Sequence, residues 1–132
     1  MKITHRTDYA IHLLAELAQH PNQIMGLRAL AESQHVTYAF ARTIQVGLLN
    51  AGIIESMRGI KGGIQLAKPL HEVTLLEVFE AAQCPLDESF HSKEAVWRQE
   101  NPNQYDIEGI WDEACETLRG YFGQVKMDEI IK

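Results

Sequence analysis

A mainly α-helical fold with one two-stranded hairpin and a long C-terminal helix is what this sequence predicts, on three observations. Apolar residues recur at helical spacing through three segments before residue 51. The period then drops to two on either side of a glycine-rich connection at residues 58–63. Beyond residue 105 apolar side chains return at a spacing close to seven.

The first helix runs from Thr7 to His20. Ala10, Leu13, Leu14 and Leu17 make its apolar line, with Asp8, His12, Glu16 and Gln19 opposite. Thr7 is placed to cap its start, and Pro21-Asn22 ends it. A shorter helix covers about Leu27 to Gln34, with Leu27, Leu30 and Ala31 inward. After the brief link His35-Val36, Thr37 is the N-cap of a third helix that reaches about Asn50 and closes at Gly52. Phe40, Ile44 and Leu48 form its inner line, while Tyr38, Ala39, Arg42, Thr43 and Val46 point elsewhere.

Ile53 to Met57 and Ile64 to Ala67 read as two short strands, joined by Arg58-Gly59-Ile60-Lys61-Gly62-Gly63 with its two cations. Thr74-Leu75-Leu76-Glu77 spells a capping box, and Val73 and Val78 are spaced as its hydrophobic staple, opening a helix to about Gln83. Cys84 to Tyr105 is polar, contains Pro85 and Pro102, and reads as loop with a turn or two of helix around Lys93 to Arg98. Asp106 caps the long helix, whose apolar positions are Ile107, Ile110/Trp111, Ala114, Leu118, Tyr121/Phe122 and Val125. That stripe either meets a partner helix or packs on its own domain.

Composition sets the broader limits. A chain of 132 residues, 45% apolar and 23% charged, holds one ordinary globular domain or a small domain with appended helices. No apolar run approaches the roughly 20 residues a membrane helix needs. The start, Met1 to Arg6, lacks the apolar core and cleavage site of a signal peptide. Two cysteines, Cys84 and Cys115, cannot build a disulfide framework, so a reducing cytoplasm is the expected compartment. The net charge of -6 speaks against nucleic acid as an average, but the average conceals a division. Through Leu70, seven basic side chains stand against four carboxylates, leaving +3; beyond it five stand against 14, leaving −9. A basic working surface and an acidic remainder fit that division, as does chance imbalance in a soluble enzyme.

Two short helices on a tight link, followed by a hairpin, describe a winged helix-turn-helix. In that arrangement the second helix enters the major groove, which puts Tyr38, Ala39, Arg42 and Thr43, with their cap Thr37, at the base-reading positions. Arg42 can donate a bidentate pair to guanine, and Thr43 can serve any base or contact a thymine methyl. Glycines such as Gly59 let the hairpin backbone approach DNA, where Arg58 and Lys61 reach phosphates or the minor groove. Lys2 and Thr4 complete the candidate DNA-binding set. Taken alone, Arg42 reads better as a solvated surface cation.

Several stretches carry a resemblance: Met1-Lys2-Ile3-Thr4 with Asp8-Tyr9-Ala10, then Leu30-Ala31-Glu32, Leu49-Asn50-Ala51-Gly52-Ile53-Ile54, and Thr74-Leu75-Leu76-Glu77-Val78. The most specific is Met57-Arg58-Gly59-Ile60-Lys61-Gly62-Gly63-Ile64-Gln65-Leu66, and Ile110-Trp111 adds to it. Together they resemble the Rrf2 family of bacterial winged-helix regulators. The resemblance implies a cytoplasmic, sequence-specific transcriptional regulator, most often a repressor. It would act as a homodimer on a palindromic promoter site of double-stranded DNA. It places dimerisation on Ile107, Ile110, Trp111, Ala114, Leu118 and Phe122, and gives Arg58 of the wing to the minor groove. The organisation implied is a DNA-binding domain at 1–83, a sensing loop at 84–105, and a dimerisation helix with its tail at 106–132. Where cluster-binding members carry serine, glutamate and glutamine on the recognition helix, this chain has Ala39, Arg42 and Thr43, so a different operator is expected.

Cluster-binding members also carry three cysteines in the loop before the long helix, since thiolates are the usual iron–sulfur ligands. This chain has none there, which excludes that site. The remaining alternative implied by the resemblance is an iron–sulfur cluster with some non-cysteine ligands, since some relatives take ligands at the positions of Asp8 and His12; here Cys84 and Cys115, or His91, would complete a mixed site across a dimer. Against it, Asp8 and His12 also read as a helix-surface pair four residues apart. Cys115 reads as a packed helix residue and Cys84 as the candidate redox thiol. No cofactor is established and the effector is open. A protein-interaction module on a winged-helix scaffold is the second reading. An enzyme finds no support, for no serine elbow, phosphate loop or metal-binding HExxH helix is present.

Overall fold

The computed structural model describes residues 5–82 and 107–132 of the chain. Helix α1 spans His5–Gln19 and turns Tyr9, Ala10, Leu13, Leu14 and Leu17 into the core. Thr7 is not its cap. The helix is already formed at His5, so Thr7 falls on the same face as Ala10 and Leu14 and is fully buried.

Helices α2 (Leu27–Ser33) and α3 (Tyr38–Asn50) follow, joined by a turn in which His35 adopts the left-handed conformation at φ 56°. The turn is a Schellman closure: Val36 N–H donates to the Ala31 carbonyl at 3.0 Å and His35 N–H to that of Glu32 at 3.1 Å. The exit of α3 repeats the device. Gly52, at φ 72°, donates to Leu49, and Ile53 donates to Leu48. At the entrance the Thr37 hydroxyl accepts from the Phe40 N–H at 3.1 Å, as its cap position predicts. The inner line of α3 is Ala41, Ile44 and Leu48; Phe40 is only half buried, with its ring 5.5 Å from that of Tyr9.

Strands β1 (Ile54–Met57) and β2 (Gly63–Leu66) pair antiparallel, with Ile54 opposite Leu66 and Met57 opposite Gly63. Ile53 closes α3 instead of opening the strand. A third piece of extended chain joins this hairpin: Met25 exchanges backbone hydrogen bonds with Ile64 at 3.0 and 2.9 Å. Gly63 permits the approach, because a β-carbon there would collide with the Met25 carbonyl.

A 3₁₀ turn at Leu70–Glu72 leads into α4 (Leu75–Ala81), whose capping box is complete. Thr74 Oγ1 accepts from Glu77 N–H at 3.1 Å, and Glu77 Oε2 accepts from Thr74 N–H at 2.7 Å. The staple residues Val73 and Val78 are both fully buried. Helix α5 covers Ile107–Phe122. It stops three residues short of Val125, whose carbonyl instead accepts from Leu75 N–H at 2.9 Å. Met127 then donates to Val73 at 2.8 Å and opens a single-turn helix, α6 (Met127–Ile130), with its side chain fully buried in the shared core. The expected loop from Cys84 to Tyr105 and the Asp106 cap lie outside the described residues. Among the described residues no helix is long and apolar enough to cross a membrane.

Candidate nucleic-acid interface

The outward face of α3 follows from what its inner face must bury. With Ala41, Ile44 and Leu48 in the core, the helical period turns Ala39, Arg42, Thr43 and Val46 outward, and all four are exposed. Thr43 Oγ1 donates to the Ala39 carbonyl at 3.0 Å, turning its hydroxyl back onto the helix. Tyr38 opens α3 and is exposed, and the Arg28 guanidinium of α2 lies 4.3 Å from the centre of its ring. That cation–π contact fixes one basic side chain beside the entrance of the helix. Arg28 entered the sequence reading only as a charge. Its pairing with Tyr38 spans the turn between two helices and has no local sequence signal.

At the hairpin tip Arg58, Ile60 and Lys61 are exposed, and Ile60 is wholly so at 106%. The backbone between the cations is tightly turned. Gly59 sits at φ 114°, and Gly62 N–H donates to its carbonyl at 2.9 Å. A β-carbon on Gly62 would meet the carbonyl oxygens of Met57 and Gly59. These glycines therefore make a narrow tip and leave the two cations to extend from it. Lys2 and Thr4 lie outside the described residues.

Of the candidate ligands for a metal, Asp8, His12 and Cys115 lie among the described residues. Asp8 and His12 are 3.6 Å apart, both well exposed on α1. They line an open cleft of about 760 Å³ together with His5, Tyr9, His35 and Phe40. Burial pushes the Tyr9 phenol up, and its hydroxyl has no hydrogen-bond partner among the described residues. Cys115 is buried on α5, and Cys84 and His91 lie outside the described residues. Among the described residues no three His, Cys, Asp or Glu side chains converge as a metal site.

On α5 the predicted dimerisation residues divide into two groups. Ile107, Ile110 and Ala114 are exposed, and Trp111, Leu118 and Phe122 are half buried. Phe122 is engaged within its own chain: its ring stacks on Phe79 of α4 at 5.0 Å, and Arg119 nearby pairs with Glu80 at 2.9 Å. Tyr121 beside it is 63% exposed, so the outward end of the stripe runs through Tyr121.

Comparison with known proteins agrees with this architecture. Residues 3–132 match the Rrf2 family, described as iron-dependent transcriptional regulators. Among the described residues no set of side chains converges to hold iron. The chain is 29% identical over 136 residues to the HTH-type transcriptional regulator IscR of Cereibacter sphaeroides, covering all of this chain and 88% of that one. Its fold is similar to that of CymR, the global cysteine regulator of B. subtilis, with a TM-score of 0.70 at 18% identity, over 99% of this chain and 96% of that one. The oxidized form of Staphylococcus aureus CymR is similar too, with a TM-score of 0.69 at 24% identity, over 100% and 97% of the two chains. With a winged helix-turn-helix framework, an exposed recognition helix and a family match along nearly its full length, this chain belongs to the Rrf2 family of DNA-binding transcriptional regulators and is not an enzyme.

Proposed function

We propose that the protein is a homodimeric repressor that binds a palindromic promoter site, one half-site per subunit. In this reading α3 enters the major groove with Arg42 on a guanine, and Arg58 and Lys61 of the wing sit in the flanking minor groove. The observation that carries it is the outward row Ala39-Arg42-Thr43-Val46, which is exposed along its length and held by caps at both ends of α3. The exposed Ile107, Ile110 and Ala114 of α5 support the dimer, since an apolar row left uncovered on one subunit suits a second copy. The net acidic balance of the C-terminal part fits a region that does not touch phosphate.

Capture of genomic fragments at moderate salt tests the reading. Enriched fragments should share an inverted repeat, and binding should weaken steeply as salt rises. Arg42→Ala and Arg58→Ala should each weaken binding about tenfold, in line with roughly 1–3 kcal/mol per specific contact. Ile110→Glu should give a monomer by sedimentation and abolish operator binding. Unchanged affinity in both arginine variants would favour the protein-interaction module instead. A transcription assay from the captured promoter distinguishes a repressor from an activator.

A further inference from the structure

We propose that α3 reads its half-site chiefly through methyl groups, with Ala39, Thr43 and Val46 packing on thymine 5-methyls around the one guanine taken by Arg42. This rests on the DNA-binding reading above and deepens it. Ala39, Thr43 and Val46 fall on one face at helical spacing, and all are exposed, Val46 at 45%. Thr43 is the residue that decides the chemistry. Its hydroxyl proton is committed to the Ala39 carbonyl at 3.0 Å, so it has no donor left for a base, and the methyl is the group it offers outward.

Arg42 is then the charged donor within an apolar row. The other polar candidates are placed differently. Gln45 is half buried, Tyr38 lies beneath the Arg28 guanidinium, and Asn50 stands at the far end of the helix. From Ala39 to Val46 the row extends about 10 Å along the helix, enough for roughly three successive base pairs. In the major groove thymine is the base that presents a methyl, and alanine and threonine methyls are its usual apolar partners. Arginine is the usual partner of guanine. The expected half-site is therefore a guanine with thymines on the bases flanking it in the groove.

The test begins with selection from a random duplex pool by the full-length chain, followed by resynthesis of the selected site with single dT→dU replacements. Uracil pairs like thymine and lacks only the methyl. Each contacted thymine should lose about fourfold in affinity on replacement, the amount expected for one buried methyl-sized group. Thr43→Val, which keeps a methyl and drops the hydroxyl, should bind within about twofold of the parent. Thr43→Ser, which keeps the hydroxyl, should lose about fourfold and become indifferent to dU at its own base pair. The reverse ranking of these two variants, or a selected site insensitive to every dU replacement, would overturn the inference while leaving DNA binding intact. Failure to select any site would sink the DNA-binding reading itself and this inference with it.

Discussion

Gly47 of α3 lies against the backbone carbonyl of Ala81 in α4, so closely that a β-carbon at position 47 would occupy the carbonyl's space. This crossing sets the depth at which the recognition helix seats on the rest of the domain. In an open helix interior, replacing glycine by alanine stabilises by about 1 kcal/mol. Here the sign should reverse. Gly47→Ala must push α3 away from α4, and urea unfolding should show a loss of about 1–3 kcal/mol, the usual cost of overpacking.

The capping box at the start of α4 supplies a second prediction, one that depends on pH. Thr74→Ala should cost about 1 kcal/mol, as loss of an N-cap hydroxyl does. Burial works to raise the pKa of Glu77. The Thr74 amide, the Lys68 ammonium 3.4 Å away and the Thr74 hydroxyl more than offset it, and its carboxyl titrates below the usual value. A depressed folded pKa contributes stability above the unfolded pKa, and that contribution is lost as pH falls through the folded value. Glu77→Gln should therefore be less stable than the parent at neutral pH, and the gap should close as pH falls through the lowered pKa of the folded carboxyl. Parallel unfolding curves from pH 3 to 7 measure this; a gap that widens in acid would contradict it.

Tyr9 carries a buried hydroxyl without a hydrogen-bond partner among the described residues, beside the ring of Phe40. An unsatisfied buried polar group costs about 1–3 kcal/mol. Removing it in Tyr9→Phe keeps the aromatic packing and should raise stability by about 1 kcal/mol, visible as a higher melting temperature. A lower melting temperature would show that the hydroxyl is satisfied in the assembled protein.

Met127 is fully buried although it lies 45 residues beyond the end of α4's C-cap, Ala82, in sequence. Met127→Ala should cost about 2–5 kcal/mol by chemical denaturation, the range for truncating a buried methionine. A cost under about 0.5 kcal/mol, typical of a surface site, would mean the tail is not part of the core.

What the sequence made legible was mostly local. Thr37, Gly52 and the Thr74–Glu77 box act within four residues of where they sit, and each does in the structure what its position predicts. The two strands of the hairpin were readable for the same reason, since the glycine-rich connection and the two-residue period mark them over a dozen residues, while their pairing register came only with the structure. Features made by distant segments were not readable. The bridge from Met25 to Ile64 joins residues with no common periodicity, and Gly47 looks from sequence like an ordinary weak point in a helix. Val125 continued the apolar spacing of α5, but Gly123 and a hydrogen bond to Leu75 took it out of the helix. On the candidate interface, Arg42 and Thr43 were identified from their place on the helix, while Arg28 on Tyr38 required the turn geometry. The exposed face of Val46 was read correctly, but what Thr43 offers it depended on a bond to Ala39.

The backbone pairing of Thr74 with Lys126 has a consequence in time as well as in space. The core that seats the recognition helix is closed by Met127, so a growing chain that has already made α1 through α4 still lacks one wall of that core. Folding of the first four helices therefore is not finished by those helices alone; it is completed from the C-terminal side, by Met127 in the core and Ile131 packed against it.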